Sequence, residues 1–299
     1  MSFVHCGGGG HFLKQVILIH AHKDLQQLNT LVGQLADEDF LIYVNVDRKS
    51  AIDVGLLHPA AHLVRKRIDI HWGGFSQVQA TLNSLAEIVA AVPDFDKVLF
   101  VSAQDFPLLS NAQLKRELAK VAGQELLDHV PVGPEGWNCA HRYHYFYAGS
   151  ANAAAAFACR LASRAMRALG LKRHMVNGYL PYGGSSWWAL SRDCVRAILE
   201  LVEADPRVTR FFRTVSCPDE LFFQTVVMNS RFGANALSNN FRYIQWPESG
   251  ARNPQVLGEG DFERIRQSGA HFCRKIDSAA SAGLLPLLMR LKEGQGAQV

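Results

Sequence analysis

The chain has no long hydrophobic run, no tract of like charge and no closely paired cysteines, and each absence removes a class of protein. No stretch approaches the roughly 18 apolar residues that cross a bilayer, and no basic segment followed by an apolar core opens the N-terminus. A soluble, cytoplasmic protein is therefore expected. The six cysteines (Cys6, Cys139, Cys159, Cys194, Cys217 and Cys273) are scattered without short spacings. That argues against a zinc site or a disulfide framework and for reduced thiols. With 31 Lys and Arg against 27 Asp and Glu, the net charge of +4 is too small for a nucleic-acid partner, although it suits an anionic small ligand. No glycine fingerprint stands between a strand and a helix, which excludes a nicotinamide dehydrogenase. The one glycine run, Gly7-Gly8-Gly9-Gly10, precedes the first expected strand and reads as part of a flexible leader over 1–14.

What is present is a globular composition, 48% hydrophobic and 19% charged over 299 residues, enough for a sizeable core. Continuous apolar runs at 15–20 (QVILIH), 41–46 (LIYVNV) and 97–102 (KVLFVS) predict buried strands, with a shorter one at 63–66. Helical patterns at 25–36 and 76–91 fall between them. Such alternation predicts an α/β domain over 15–299, with a mostly parallel central sheet and helices on both faces. No internal repeat or linker divides it. Ligands of such sheets bind beyond the carboxyl ends of the strands, where this chain carries His20, His22, Asp47 and Asp105. Each alone could equally cap the next helix; their coincidence is the functional hint.

Further along, 151–173 is an alanine-rich helix with Arg160, Arg164, Arg167, Lys172 and Arg173. Its basic face is either solvated or rests on an anionic membrane surface. A glycine turn and short strand at 183–190 places Trp187 and Trp188 on opposite faces, one in the core and one toward a cleft. A helix begins near Arg192, a strand covers 241–246, a short helix lies near 261–267, and an amphipathic C-terminal helix frays after Lys292. Between these, Pro218-Asp219-Glu220 puts two carboxylates in a first helical turn that Ser216 or Cys217 can cap. Acidic residues there can simply complement the helix dipole. Beside a cleft, an ionised carboxylate can also take the proton of an attacking sugar hydroxyl, and Glu220 is the candidate base.

Several stretches in order resemble the core-2/I-branching glycosyltransferase family, which includes branching N-acetylglucosaminyltransferases and peptide O-xylosyltransferases. They are Ile19-His20-Ala21-His22-Lys23-Asp24, Val44-Asn45-Val46-Asp47-Arg48-Lys49, Trp72-Gly73-Gly74-Phe75-Ser76, and Ser102-Ala103-Gln104-Asp105-Phe106-Pro107-Leu108. Gly184-Ser185-Ser186-Trp187, Pro218-Asp219-Glu220 and Phe272-Cys273-Arg274-Lys275 follow. The resemblance implies a GT-A type domain and inverting transfer from a UDP-sugar to a glycan or glycolipid hydroxyl in β-linkage, with Glu220 as general base. It implies a donor diphosphate held by Arg252 and Lys275, with Arg274 beside them. His20, Asp47, Trp72 and Gly73 would meet the nucleotide, and Asp105, Ser186 and Trp187 the sugar or acceptor.

A departing UDP gains charge that a metal or fixed cations must neutralise. Asn45-Val46-Asp47 and Gln104-Asp105 are each one carboxylate short of an Asp-x-Asp metal motif, whereas Lys and Arg can do this work. No metal or other cofactor is therefore expected. Ser186 stands where xylosyltransferases carry aspartate, which favours UDP-N-acetylglucosamine over UDP-xylose as donor. Ala103 for glycine and Cys273 for alanine are small departures. The anchor and stem of the animal enzymes are missing, which fits a bacterial enzyme of surface polysaccharide or glycolipid assembly, cytoplasmic or peripheral to the inner membrane. The alternatives are a xylosyltransferase and a non-catalytic sugar-nucleotide or glycan binder.

Overall fold

Val16, Ile17, Leu18 and Ile19 are fully buried because both faces of their strand are covered, Val16 and Leu18 entering one hydrophobic cluster and Ile17 and Ile19 another. That double coverage is the physical origin of the continuous apolar run. The computed structural model describes residues 14–149, 153–247 and 253–296, so the expected leader lies outside the described residues except for Lys14, and Arg252 lies outside them altogether.

In chain order, β1 (Gln15–Ala21) leads to α1 (Leu25–Leu35), where the Asp24 carboxylate accepts from the Gln27 amide at 3.0 Å. Next come β2 (Phe40–Val46), β3 (Ala61–Leu63), α2 (Ser76–Ala91), β4 (Lys97–Ser102) and β5 (Asp105–Pro107). A capping box of Ser110 and Gln113 starts α3 (Asn111–Lys120), followed by β6 (Glu125–Leu127), β7 (Val130–Pro131), α4 (His141–His144) and α5 (Ala153–Ala168). The short strands β8 (Tyr182–Gly183) and β9 (Trp188–Ser191) precede α6 (Arg192–Ala204), capped by Ser191, and α7 (Pro206–Phe212), with Pro206 in its first turn. The remainder is α8 (Phe222–Met228), β10 (Ala236–Leu237), β11 (Arg242–Ile244), α9 (Phe262–Gln267), β12 (Phe272–Arg274) and α10 (Leu285–Gly296).

Seven strands form the central sheet in the order β10-β6-β9-β4-β1-β2-β3, all parallel except β9, which runs against both its neighbours. Helices α2, α6, α7 and α8 contribute to the cluster on one face, and α1 and α3 to that on the other. The fold is thus mixed α/β with a mostly parallel sheet covered on both faces, consistent with a GT-A-like fold. Buried Asn45 ties sheet to helix, its amide donating to the Ala80 carbonyl at 3.2 Å and the Ser84 hydroxyl at 2.8 Å. A second sheet, β11-β12-β5, continues from the end of β4, and its antiparallel register sets Arg274 opposite Asp105.

Three boundaries differ from expectation. The third strand lies at Ala61–Leu63 rather than 63–66, because the Arg65 amide turns to the Glu87 carboxylate at 3.0 Å instead of continuing a ladder. Pro218–Glu220 is a single 3-10 turn set off from α8, and Cys217 has a left-handed backbone (φ 48°) and makes no side-chain cap. The carboxylates therefore precede the helix. The last helix continues past Lys292 to Gly296, since the Lys292 ammonium is anchored on the Gln34 carbonyl and on Asn111. As expected, the two tryptophans divide: Trp188 is fully buried and Trp187 half-buried. The five described cysteines are free.

Trp188 joins β4 to α8, its ring centroid 5.1 Å from that of Phe100 and 5.0 Å from that of Phe223. Trp188→Ala is expected to cost about 3–5 kcal/mol in urea unfolding, as for a large aromatic removed from a core. A loss under ~1 kcal/mol would show that this junction is not a stabilising centre.

Candidate active site

Glu220 projects from the 3-10 turn between a positive-φ residue and a short helix, and is held from several directions. Its Oε2 accepts from the Arg142 guanidinium, which itself lies 4.6 Å over the Trp137 ring. Its carbonyl accepts from the Gly184 amide at 3.0 Å. The side chain is about 31% exposed, and Oε1 has no donor among the described residues. A carboxylate paired with a guanidinium through one oxygen keeps the other oxygen for a substrate proton.

Asp219, next to it, is in a different environment. Its Oδ2 accepts from Ser186 at 2.8 Å and from Gln77 at 3.3 Å, while Oδ1 is buried without a partner. Burial, and then the charge on Glu220, pushes its carboxyl up to about 6. Gln77 also accepts from the Gly73 amide at 3.0 Å, and the Gly73 carbonyl accepts from the Cys217 amide at 2.9 Å. Gly73 has φ 69°, a conformation glycine adopts without strain. Gln224 donates to the Ser185 carbonyl at 2.7 Å. Segments around 73–77, 142, 184–186 and 217–224 thus meet in one hydrogen-bonded unit.

Beneath it lies a second cluster. Asp105 is fully buried between Arg242, whose Nε donates to Oδ2 at 3.3 Å, and Arg274, 3.6 Å from Oδ1. The Arg274 guanidinium rests 4.3 Å over the Trp187 ring. Two candidate site residues are drawn into this cluster. Arg274 is buried against Asp105 and Trp187. Asp105 is enclosed, with no exposed surface, and ties the two arginines together. Ser186 is committed to Asp219, while half-buried Trp187 is the platform for Arg274.

At the carboxyl ends of β1, β2 and β12 lies a group of cations. His22 is held below its usual range by burial, then by Lys23, with Lys275 and Lys49 adding to the effect and Asp47 opposing it. Lys275 is half-buried and lowered by burial, then by Arg274 and Lys23. Among the described residues its ammonium has no ion pair or hydrogen bond, whereas Lys23 is paired with Asp277 at 3.0 Å and Lys49 with Asp47. Asp47 also accepts from the amides of Lys49 (3.1 Å) and Ile70 (3.2 Å), so it orders two loops instead of facing outward. His20 packs edge-on to Phe100 with Nε2 buried and unpartnered, and burial lowers it to about 3. It is a neutral ring. Trp72 stands 62% exposed at the tip of its loop. Among the described residues no three His, Cys, Asp or Glu side chains form a metal-ligand set.

Arg142, Arg242 and Gln77 were missed by sequence reasoning. Gln77 lies one position past the Trp72–Ser76 stretch, in the first turn of α2, and could have been found there. The two arginines sit in segments whose local pattern carries no signal.

A mostly parallel sheet with basic side chains at its strand ends, in a domain that also presents the half-buried, arginine-paired Glu220, fits an α/β group-transfer enzyme. Residues 17–266 match the family model described as Core-2/I-Branching enzyme, and the chain belongs to this family of glycosyltransferases. It is 23% identical to xylosyltransferase 2 of Mus musculus over 94% of this chain and 34% of that one. It is also 23% identical to the xylosyltransferase of Ciona intestinalis (77% of this chain, 26% of that one) and to beta-glucuronosyltransferase GlcAT14B of Arabidopsis thaliana (90% and 60%). The chain therefore spans between about a quarter and three fifths of the length of these relatives.

A raised Asp219 carboxyl has a defined pH signature. From about pH 4 to 6 the folded state binds more protons than the unfolded chain, so this group makes stability fall as pH rises through that window. Asp219→Asn should raise stability at pH 8 by on the order of 1–3 kcal/mol relative to its effect at pH 4. Urea unfolding at both pH values checks this, and an equal effect at both would mean that the carboxyl is not shifted.

Proposed function

We propose that the protein is an inverting UDP-sugar-dependent glycosyltransferase in which Glu220 is the general base. The observation that carries this reading is the contrast between two neighbouring half-buried carboxyls: Glu220, ion-paired to Arg142 and about 31% exposed, beside Asp219, whose Oδ1 is buried without a partner and whose carboxyl is pushed up to about 6. Oε1 of Glu220 takes the proton of the acceptor hydroxyl as that oxygen bonds to the anomeric carbon. The bond from that carbon to the diphosphate breaks with inversion, and UDP leaves with the electron pair. Lys275, unpaired among the described residues and with Lys23 in electrostatic reach, supplies positive charge for the diphosphate, and Arg252 joins it on the strength of the family resemblance. Those fixed cations support transfer without a metal. Trp72 offers an exposed flat ring for the nucleotide, while Gly73 lets its loop turn. The donor is UDP-N-acetylglucosamine and the acceptor a glycan or glycolipid of surface polysaccharide assembly. UDP-xylose is the second reading, favoured by relatives that are named xylosyltransferases.

Glu220→Gln is expected to abolish transfer while leaving UDP affinity, read by calorimetry, nearly unchanged; wild-type turnover in that variant would remove Glu220 as base. Lys275→Ala and Arg252→Ala should each weaken UDP binding by about 1.5–3 kcal/mol, and EDTA should leave wild-type binding and turnover intact. UDP affinities equal to wild type in both variants, or turnover lost in EDTA and restored by manganese, would sink the cationic diphosphate clamp. Thermal shift with UDP-N-acetylglucosamine against UDP-xylose decides the donor.

A further inference from the structure

The helix α5 leaves its apolar residues on the wrong side for a core. At 3.6 residues per turn, Ala156, Cys159, Ser163 and Met166 share the face that packs inward, and Ser163 donates to the Phe146 carbonyl at 2.9 Å. Phe157 and Leu161 lie on the opposite face, 62% and 61% exposed. Directly after the helix, Leu169 and Leu171 are 71% and 54% exposed. Four large apolar side chains within one short segment are more than the scattered exposure expected of a soluble surface.

Arginines line one side of this stripe. Arg160 and Arg164 are exposed one turn apart and have no ion pair among the described residues, and Arg167 stacks on the Tyr145 ring at 4.4 Å. Lys172 is exposed beyond the helix, whereas Arg173 turns inward onto Phe146 and Phe211. Between Glu135 and Asp193 the chain contains no acidic residue at all. No helix among the described residues is long and apolar enough to cross a membrane.

We propose that this face of α5, with Leu169, Leu171 and Lys172, is a docking surface for an anionic phospholipid bilayer. Phe157, Leu161, Leu169 and Leu171 enter the headgroup and acyl boundary, and Arg160, Arg164 and Lys172 meet lipid phosphates. Charge complementarity selects this occupant. A second copy docked on the same face by a twofold axis would bring arginine against arginine with no carboxylate in the segment to offset them. The proposal does not depend on sugar transfer. If it holds, a lipid-linked acceptor would be presented where the enzyme binds.

The test is flotation of the full chain with vesicles of phosphatidylcholine alone and with about one third phosphatidylglycerol, at low and high salt. The expected result is binding to the anionic vesicles only, weakened by salt. Phe157→Ser with Leu161→Ser, and separately Arg160→Gln with Arg164→Gln, should each lower that binding about tenfold or more. All four side chains are exposed, so circular dichroism should match wild type; if the serine variant is unfolded, the glutamine variant decides. UDP affinity, read in the same samples, should stay at the wild-type value. Absence of binding to anionic vesicles, equal binding to neutral ones, or double variants that float like wild type would overturn the proposal. So would a wild-type dimer in sedimentation that the serine variant converts to monomer, since a second copy would then cover the face.

Discussion

Asp105 is the pivot of the structure. A fully buried carboxylate between two buried guanidiniums cannot be left with one partner, because breaking such a pair strands a charge at a cost of about 3–5 kcal/mol. Its position is dictated by the antiparallel register of β5 and β12, and Arg242 adds bonds to the Phe100 and Asn240 carbonyls at 2.6 and 2.9 Å. The second sheet is thereby locked to the end of β4. Arg274 then carries Trp187 on its face, and Trp187 is adjacent in sequence to Ser186, which holds Asp219. From the buried ion cluster to the solvent-facing Glu220, each contact depends on the one below.

That arrangement explains how two consecutive carboxyls come to behave differently. Glu220 reaches a guanidinium and keeps about 31% of its side chain exposed. Asp219 points into protein, beside a like charge, with one oxygen unpartnered, all of which favour the neutral form. Environments that separate neighbouring acids in this way are how acid and base roles are divided in enzyme sites. The Trp72–Gly74 loop joins the same unit through Gln77 and Cys217, so that loop and Glu220 share one hydrogen-bonded frame.

Much of this was determined by the sequence alone. The doubly buried strands at 15–21, 40–46 and 97–102 are legible because a strand covered on both faces must be apolar at every position, and α2 was placed at its observed limits by its period. Glu220, Lys275 and Trp72 are candidates read from ordered motifs, and the first two side chains are half-buried and the third exposed.

Only the tertiary structure decided which charged residues are spent on the protein itself. Asp47, Asp105 and Arg274 look in sequence like ligand-binding groups; in the fold Asp47 accepts from loop amides and pairs with Lys49, and Asp105 lies between two arginines, one of them Arg274. Arg142 and Arg242 were invisible because their roles come from partners 78 and 137 positions away. Local periodicity reports how a segment is covered; it carries no information about which distant charge will sit opposite, since that depends on strand register and on loops whose paths no local pattern encodes.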